Sequence, residues 1–480
     1  MYKKREGQIS LDEFLTPFGK LDQNNRWVKK SKLIPWQRIE ERYAALFESD
    51  TGTVAKPVRM AVGALVIKQE TGLSDEGVVQ AILENPYMQF FIGLHEFTTK
   101  APFASTSMVY FRKRLGGDVM KEINEMTFVP QRDESADDDD DSWDGQSGGG
   151  KAAQSEEDDQ KREGFLLLDA TCAPADITYP TDVGLLGEAR EKLEGIIDML
   201  HPHTGADRKP RTYRNCARRD YLSFVKKRRK GKKEIRKAIR KQLGYVRRNL
   251  MHVDNMLEKT GEGVLLPRQV KWLETIRVLY QQQTEMYQMR THRVADRIVS
   301  ISQPHVRPIV RGKKSADVEF GAKVSISLVD GYAFVDKIGW DNYSEGVLLK
   351  DAVEQYAQRY GHYPEAVLAD KLYRNRENLQ YCKRLGIRLS GPRLGRPPKH
   401  TPKDPFARQD NAMRNGVEGK FGEEKTCYGL GRVFAHLQET SECAIHMASF
   451  VANLNRSLRL LFLHLFRRWL GCASLEFMAC

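Results

Sequence analysis

Three acidic residues in this chain stand where metal-dependent chemistry could use them. Asp169 closes the apolar run Phe165-Leu166-Leu167-Leu168, and Asp370 closes Ala366-Val367-Leu368-Ala369. Glu418 lies in Arg414-Asn415-Gly416-Val417-Glu418, with Lys425 seven residues further on. An acid at the end of a buried strand stands at a sheet edge, where a cation and a phosphate can reach it. Two-metal phosphoryl transfer needs hard oxygen ligands that converge on ions roughly 4 Å apart, which Asp and Glu supply. Lys and Arg nearby would position a phosphodiester. Taken singly, an Asp after an apolar run is more often a strand-end cap or an ion-pair partner, so the words around the acids carry the weight.

The totals favour a polyanionic partner. The chain has 480 residues, a formal net charge of +13, a pI near 9.2 and an ordinary hydrophobic fraction of 40%. That length supports two or three domains with a sizeable core. The charge is concentrated. Residues 208–248 carry 19 Lys and Arg against 2 acids, and residues 133–159 carry 12 acids against one Lys. Nucleic acid is the first expectation for such a basic block, an anionic membrane the second. Seven cysteines with no CxxC pair argue against a disulfide framework or a structural zinc site, and for a reducing cytoplasm. The charged start, Met1-Tyr2-Lys3-Lys4-Arg5-Glu6, lacks a secretory apolar core. Leu458–Leu470 contains Arg459, His464, Arg467 and Arg468, so it reads as an amphipathic helix rather than a membrane span.

The elements that must position the acids can be read from periodicity and punctuation. Residues 1–132 read as helical. A helix follows Pro57, Ser74 caps another over Asp75–Glu84, Asn85-Pro86 ends it, and Ser105–Leu115 forms a third that carries Arg112 and Arg114. A compact DNA-binding module and a generic helical bundle both fit this part. Residues 133–162 form an acidic, Gly-rich linker that cannot bury a core; a solvated hinge is the plainer reading, mimicry of nucleic acid the other. Residues 163–460 mix strand and helix signals, with a basic helical insertion at about 185–312 after the first strand, and 461–480 form a tail. Val318–Leu328 and Tyr332–Trp340 flank Asp330-Gly331, a hairpin signal. With the insertion set aside, the order is strand, hairpin, helix, strand, helix, strand, helix. That order predicts a mixed α/β fold in which helices pack on a mixed sheet.

Glu418 and Lys425 are two helical turns apart, and Arg414 lies one turn before Glu418 on the same side. One helix therefore offers a metal ligand flanked by two phosphate clamps; a surface ion-pair ladder fits the same spacing. Asp182 reads as a helix N-terminal acid or a supporting carboxylate, and Trp272 as a helix-packing residue or a base-stacking wedge. The tract Lys226-Lys227-Arg228-Arg229 within the insertion is a candidate DNA contact.

The chain resembles bacterial insertion-sequence transposases with an RNase H-like DDE domain. Asp169-Ala170-Thr171, Tyr179-Pro180-Thr181-Asp182 and Leu185-Leu186 are similar to the first catalytic block of that group. Ala369-Asp370-Lys371-Leu372-Tyr373, with Asn378 and Gly386-Ile387, resembles the second. Arg414-x3-Glu418-x6-Lys425 matches the Arg, Glu and Lys of the Tyr-x2-Arg-x3-Glu-x6-Lys motif, with Asn411 at the Tyr position. Pro57, Leu73-Ser74-Asp75, Asn85-Pro86, Phe91-Ile92-Gly93-Leu94 and Phe111-Arg112-x-Arg114-Leu115-Gly116 extend the likeness to the N-terminal part. The resemblance covers roughly 55–130 and 165–455. It implies an RNase H-like mixed sheet flanked by helices and an all-helical N-terminal domain. It also implies catalytic, metal-binding roles for Asp169, Asp370 and Glu418 with two Mg²⁺ ions (Mn²⁺ able to substitute). Arg414 and Lys425 would hold the DNA backbone. The implied activity is cleavage at the element's inverted-repeat ends and joining of 3′-hydroxyls to target DNA, by a homodimer in a synaptic complex on double-stranded DNA. The implied setting is the bacterial cytoplasm, at the nucleoid, without a membrane. The alternative is a catalytically inactive relative acting as a DNA-binding repressor.

Overall fold

A computed structural model describes residues 20–47, 54–130, 162–313, 316–391, 394–395 and 405–476. The acidic linker falls outside the described residues except at Arg162, as does most of the Pro-rich stretch 391–404.

Six helices precede the first strand: α1 (Arg26–Leu33), α2 (Trp36–Ala44), α3 (Val58–Thr71), α4 (Asp75–Glu84), α5 (Pro86–Phe91) and α6 (Ser107–Phe128). Their limits follow local chemistry. The Ser74 side chain accepts from the Gly77 amide, capping α4. Asn85 caps α5 by accepting from Tyr87 and Met88, with Pro86 at the first helical position. Gly72 ends α3 in the left-handed conformation. The sequence predicts a helix ending at Leu115. The structure continues it to Phe128, through a kink where Gly116 takes φ 53° and ψ −170°. This explains the short expectation: the Gly116-Gly117 pair reads as a stop but acts as a bend.

The sheet is mixed and six-stranded, in the order β2 (Arg307–Lys313), β3 (Ala316–Val329), β1 (Phe165–Pro174), β5 (Ala366–Ala369), β6 (Arg388–Leu389), with β4 (Tyr332–Gly339) pairing β3. β1 runs antiparallel to β3 and parallel to β5. Asp330 and Gly331, both at positive φ, make the two-residue turn between β3 and β4 that the sequence predicts. β2 is the strand that periodicity misses. Its Arg-Pro-Ile-Val-Arg run breaks alternation, and a proline is tolerated there because β2 is an edge strand.

Helices cover both faces, the arrangement of an RNase H-like domain. On one face α11 (Leu349–Tyr360) and α12 (Arg376–Arg384) bury Leu349, Val353 and Tyr356 with Leu166, Leu168 and Val367. On the other, α13 (Ala407–Cys427) and α14 (Gln438–Glu476) join α3 and α6 over Leu167, Val324, Ile326 and Leu328. The N-terminal helices thus share a core with the sheet rather than forming one of their own. The insertion after β1 is helical: α7 (Asp182–Leu200), α8 (Arg214–Val225), α9 (Lys232–Thr260) and α10 (Pro267–Met289), with a separate core centred on Leu193, Val246 and Ile276.

Asn453 of α14 fastens this second layer. Its side chain accepts from the Ala333 amide at 2.8 Å, and donates to the Ala333 carbonyl at 2.7 Å and to Asn124 Oδ1 of α6 at 3.1 Å. Both asparagines are buried. Asn453→Ala leaves buried β4 and α6 groups unpaired, and is expected to cost about 2–4 kcal/mol, read as a lower urea midpoint with an unchanged m-value.

Candidate active site

The strand pairing itself brings two of the acids together. Leu168 of β1 is registered against Ala369 of β5, so the next position on each strand is Asp169 and Asp370. Side-chain alternation then fixes their face. Leu167 and Leu368 lie in the core beneath α13 and α14, while Leu166, Leu168 and Val367 lie on the α11 side. Asp169 and Asp370 therefore share the face that α13 crosses. Asp169 is half-buried, and its Oδ1 accepts from the Ala170 amide at 2.8 Å. Asp370 accepts from the Lys371 amide at 2.7 Å, so it also caps the short 3₁₀ turn Lys371–Tyr373. Among the described residues neither carboxylate forms an ion pair.

Burial pushes the Asp169 carboxyl up. Its own backbone bond and the Arg414 guanidinium oppose that, and the charges of Glu345 and Asp370 reinforce it. Tyr373, buried just past Asp370, has its phenol driven up by burial and then by Glu345 and Asp169. The site is thus a partly dry pocket of negative charge with one guanidinium facing it.

α13 carries the remaining candidates. It packs against β1 and β5 through Val417 and Phe421. Its N-terminal end is held by Arg388 of β6, whose guanidinium donates to both oxygens of buried Asp410 at 2.5 and 3.0 Å. With Val417 pointing into the core, Arg414, Glu418 and Lys425 lie along one flank of the helix, at 100° per residue. Arg414 and Lys425 are half-buried, and Glu418 is exposed.

The donor set fits a hard divalent cation. Asp169 and Asp370 are carboxylates on one face with no ion pair among the described residues, and the charge of one raises the other. Among the described residues no three His, Cys, Asp or Glu side chains converge closely enough to form a complete cage. Glu418 is exposed on the helix flank and forms no three-acid cluster with the two aspartates.

Other predicted contacts are placed as follows. Arg112 of α6 donates to both oxygens of Asp75 at 3.0 and 2.7 Å, so its guanidinium is held within the fold. Arg114 is exposed and lies 4.5 Å over the Phe47 ring. Lys226, Lys227, Arg228 and Arg229 form the exposed turn between α8 and α9, where Lys227 pairs with Glu234 at 2.5 Å. Asp182 opens α7 and accepts from Gln283 and Arg297 at 3.0 and 2.8 Å, the structural role. Trp272 packs in the insertion core with Lys192 3.8 Å over its ring.

Sequence reasoning missed Glu345, which pairs with Lys323 at 2.9 Å beside Asp169. It also missed Glu424 and Lys420, both buried on the core side of α13. Their helical spacing with Val417 and Phe421 was the available signal, masked by the surrounding charge.

The acids on adjacent strands, the mixed sheet and the helical covers on both faces define an RNase H-like domain. Residues 367–455 match the family described as Transposase DDE domain, and residues 17–114 match Transposase domain (DUF772). A Rhizobium meliloti protein named "Uncharacterized protein ORF8 in nfe locus" is 36% identical over 96 residues, covering 20% of this chain and 46% of that protein. The chain thus spans about half the length of that relative. No solved structure matches. The two matched segments are thus similar to parts of transposases, the DDE domain in the C-terminal half and the DUF772 domain at the N-terminal end. Among its described residues, no helix is long and apolar enough to cross a membrane.

Glu424 gives a test of how α13 is seated. Burial pushes its carboxyl up to about 7, against the charge of Lys420. A raised acid binds its proton more tightly when folded, so stability falls as pH rises from the unfolded value of 4.5 through about 7. Glu424→Gln removes that penalty. It is expected to stabilise the chain at pH 8 by roughly 1–3 kcal/mol and to change little at pH 4, measured by urea melts at both pH values.

Proposed function

We propose that this chain is a DNA transposase that binds the terminal inverted repeats of its insertion sequence, cleaves at the element ends and joins the 3′-hydroxyls to target DNA. The observation that supports this best is the register of β1 on β5, which sets Asp169 beside Asp370 under the helix bearing Arg414, Glu418 and Lys425.

Asp169, Asp370 and Glu418 are the residues that would hold two Mg²⁺ ions, with Mn²⁺ as a substitute. When bound, such ions activate a water or sugar hydroxyl and stabilise the leaving oxygen of an in-line displacement. The chain's own part is positional. The β1–β5 register fixes two ligands on rigid strands, which is more exact than placing them on loops. Arg414, facing Asp169, orients the scissile phosphate and offsets the negative charge of the pocket. Lys425, two turns beyond Glu418, holds the next stretch of backbone. Tyr373 and Ala170 keep bulk water from the buried side of Asp169.

The exposed turn Lys226–Arg229 and the segment of Arg112 and Arg114 extend the DNA surface, with Arg114 the more accessible of the two arginines. End recognition is assigned to the N-terminal helical part, residues 1–132, and catalysis to 163–460. A homodimer on paired ends in a synaptic complex, at the bacterial nucleoid, follows from the same reading.

The test is incubation of the purified protein with a labelled duplex carrying its element's terminal repeat, in Mg²⁺ or EDTA. Nicking at the repeat boundary in Mg²⁺ alone is the expected result. Asp370→Asn and Glu418→Gln are each expected to lower it by more than about 100-fold, the scale already reached when the outer partners of metal ligands are lost, with end binding retained. Specific binding without nicking in the wild-type chain would instead identify a DNA-binding repressor.

A further inference from the structure

The basic block of the insertion is not uniformly available to a partner. Much of its charge is engaged inside the insertion. Lys241 pairs with Asp220 at 2.8 Å, Lys227 with Glu234, and Arg236 donates to the Tyr287 carbonyl at 2.9 Å. Arg248 lies 4.6 Å over the Tyr213 ring. Among the described residues, cations without an ion pair remain in the exposed turn before α9 and along one line of α9 itself. Lys233, Lys237, Arg240, Gly244, Arg247 and Met251 follow one another at steps of three or four residues, so they lie within about 40° of a single line on the helix surface. The four cations on that line are exposed, and none makes an ion pair among the described residues. The opposite side of α9, through Ile239, Val246 and Val253, is buried in the insertion core. No Asp or Glu occurs from residue 235 to 253.

Gly244 is the unexplained residue in this line. A glycine in the interior of a 29-residue helix weakens it relative to alanine. Nothing among the described residues requires it, because a Cβ built there meets none of their atoms within 4 Å. It does leave a notch between Arg240 and Arg247. A partner that comes against the helix backbone, flanked by cations, would account for both the missing side chain and the unpaired charge.

We infer that this face of α9 is a docking surface for the sugar-phosphate backbone of double-stranded DNA, with one strand seated in the notch at Gly244. The inference rests on DNA being the partner under the proposed function, and adds a second contact surface distinct from the acids. From Lys233 to Arg247 the line is about 21 Å long, at 1.5 Å per residue, and straight because its scaffold is a helix. A stiff duplex matches a straight cationic rail better than a partner that must wrap. The line holds no Asn, Gln, Ser or Thr to read base edges, so the contact is with phosphates and independent of sequence.

The experiment uses the full-length protein and a fluorescent 30-base-pair duplex of unrelated sequence, titrated across a salt series. The quadruple variant Lys233→Gln, Lys237→Gln, Arg240→Gln, Arg247→Gln is expected to bind at least 10-fold more weakly at 150 mM salt. Its log–log salt slope should fall by up to about 0.9 per lost phosphate contact. Gly244→Leu, a good helix former, is expected to keep the circular dichroism spectrum and weaken binding several-fold by filling the notch. An unchanged salt slope in the quadruple variant, or unchanged affinity in Gly244→Leu, would overturn the inference. So would a structured RNA that binds 10-fold more tightly through the same four cations. Nicking of the terminal repeat is scored separately: a chain that binds through α9 but never cuts loses the transposition reading and keeps this one.

Discussion

The parallel pairing of β1 with β5 is the constraint on which the rest depends. The two strands are distant in sequence, with the whole insertion, β2, the β3–β4 hairpin and α11 between them. Their register nevertheless decides whether Asp169 meets Asp370. Because side chains alternate with period two, a slip of one residue would send one acid to the α11 face and leave the other under α13. The apolar residues on both sides oppose such a slip. Leu166, Leu168 and Val367 fill one layer, and Leu167 and Leu368 the other. Placing the acids is thus a by-product of packing a strand that is buried on both faces, and the charge repulsion between them is overcome by the hydrophobic cost of any other alignment.

A second constraint sets the helix that crosses those strands. α13 is neither very apolar nor strongly amphipathic in sequence, yet it is held at three places: Asp410 on Arg388 of β6, Val417 and Phe421 on the sheet, and Glu424 with Lys420 against α14. The last of these is costly. A fully buried carboxyl without a well-formed hydrogen bond stabilises the fold little in its charged form. Its effect is to fix rotation about the helix axis, and rotation decides which residues flank the acids. With the core side occupied by Val417, Phe421 and Glu424, Arg414 and Glu418 are left on the flank. A buried charge of this kind, on the helix that crosses the two aspartates, departs from the most stable packing.

How much of this was legible in the sequence follows the range of each interaction. Short-range features were readable: the Ser74 cap, the helix end at Asn85-Pro86, the Asp330-Gly331 turn, the apolar runs ending in Asp169 and Asp370, and the helical phase of Arg414, Glu418 and Lys425. Features that depend on distant partners were not. β2 carries a proline and two arginines, and only its edge position makes it a strand. The partner of Arg112 was hidden as well: Asp75, 37 residues earlier, holds it in a two-point ion pair. Glu345 gave no signal, since its relevance lies only in its nearness to Lys323 and Asp169. The division between N-terminal and catalytic parts is likewise hidden in the pattern, because α3 and α6 bury their apolar faces against α14 and the sheet.

The insertion shows why net charge is a poor guide to a binding surface. Residues 208–248 could be taken as one cationic mass, but folding sorts them. Arg214 bonds Glu194 and Asp198, Lys241 bonds Asp220, and Arg248 stacks over tyrosine, so these charges hold helices together. A cation already paired inside the fold is not free to neutralise a phosphate and displace the counterions condensed on DNA, whereas an exposed unpaired lysine is. The cations left over after internal pairing are therefore the informative ones, and on α9 four of them fall on one line because the helix must turn its apolar residues the other way. The same hydrophobic pattern that builds the insertion core thus aligns the charges on its outer side.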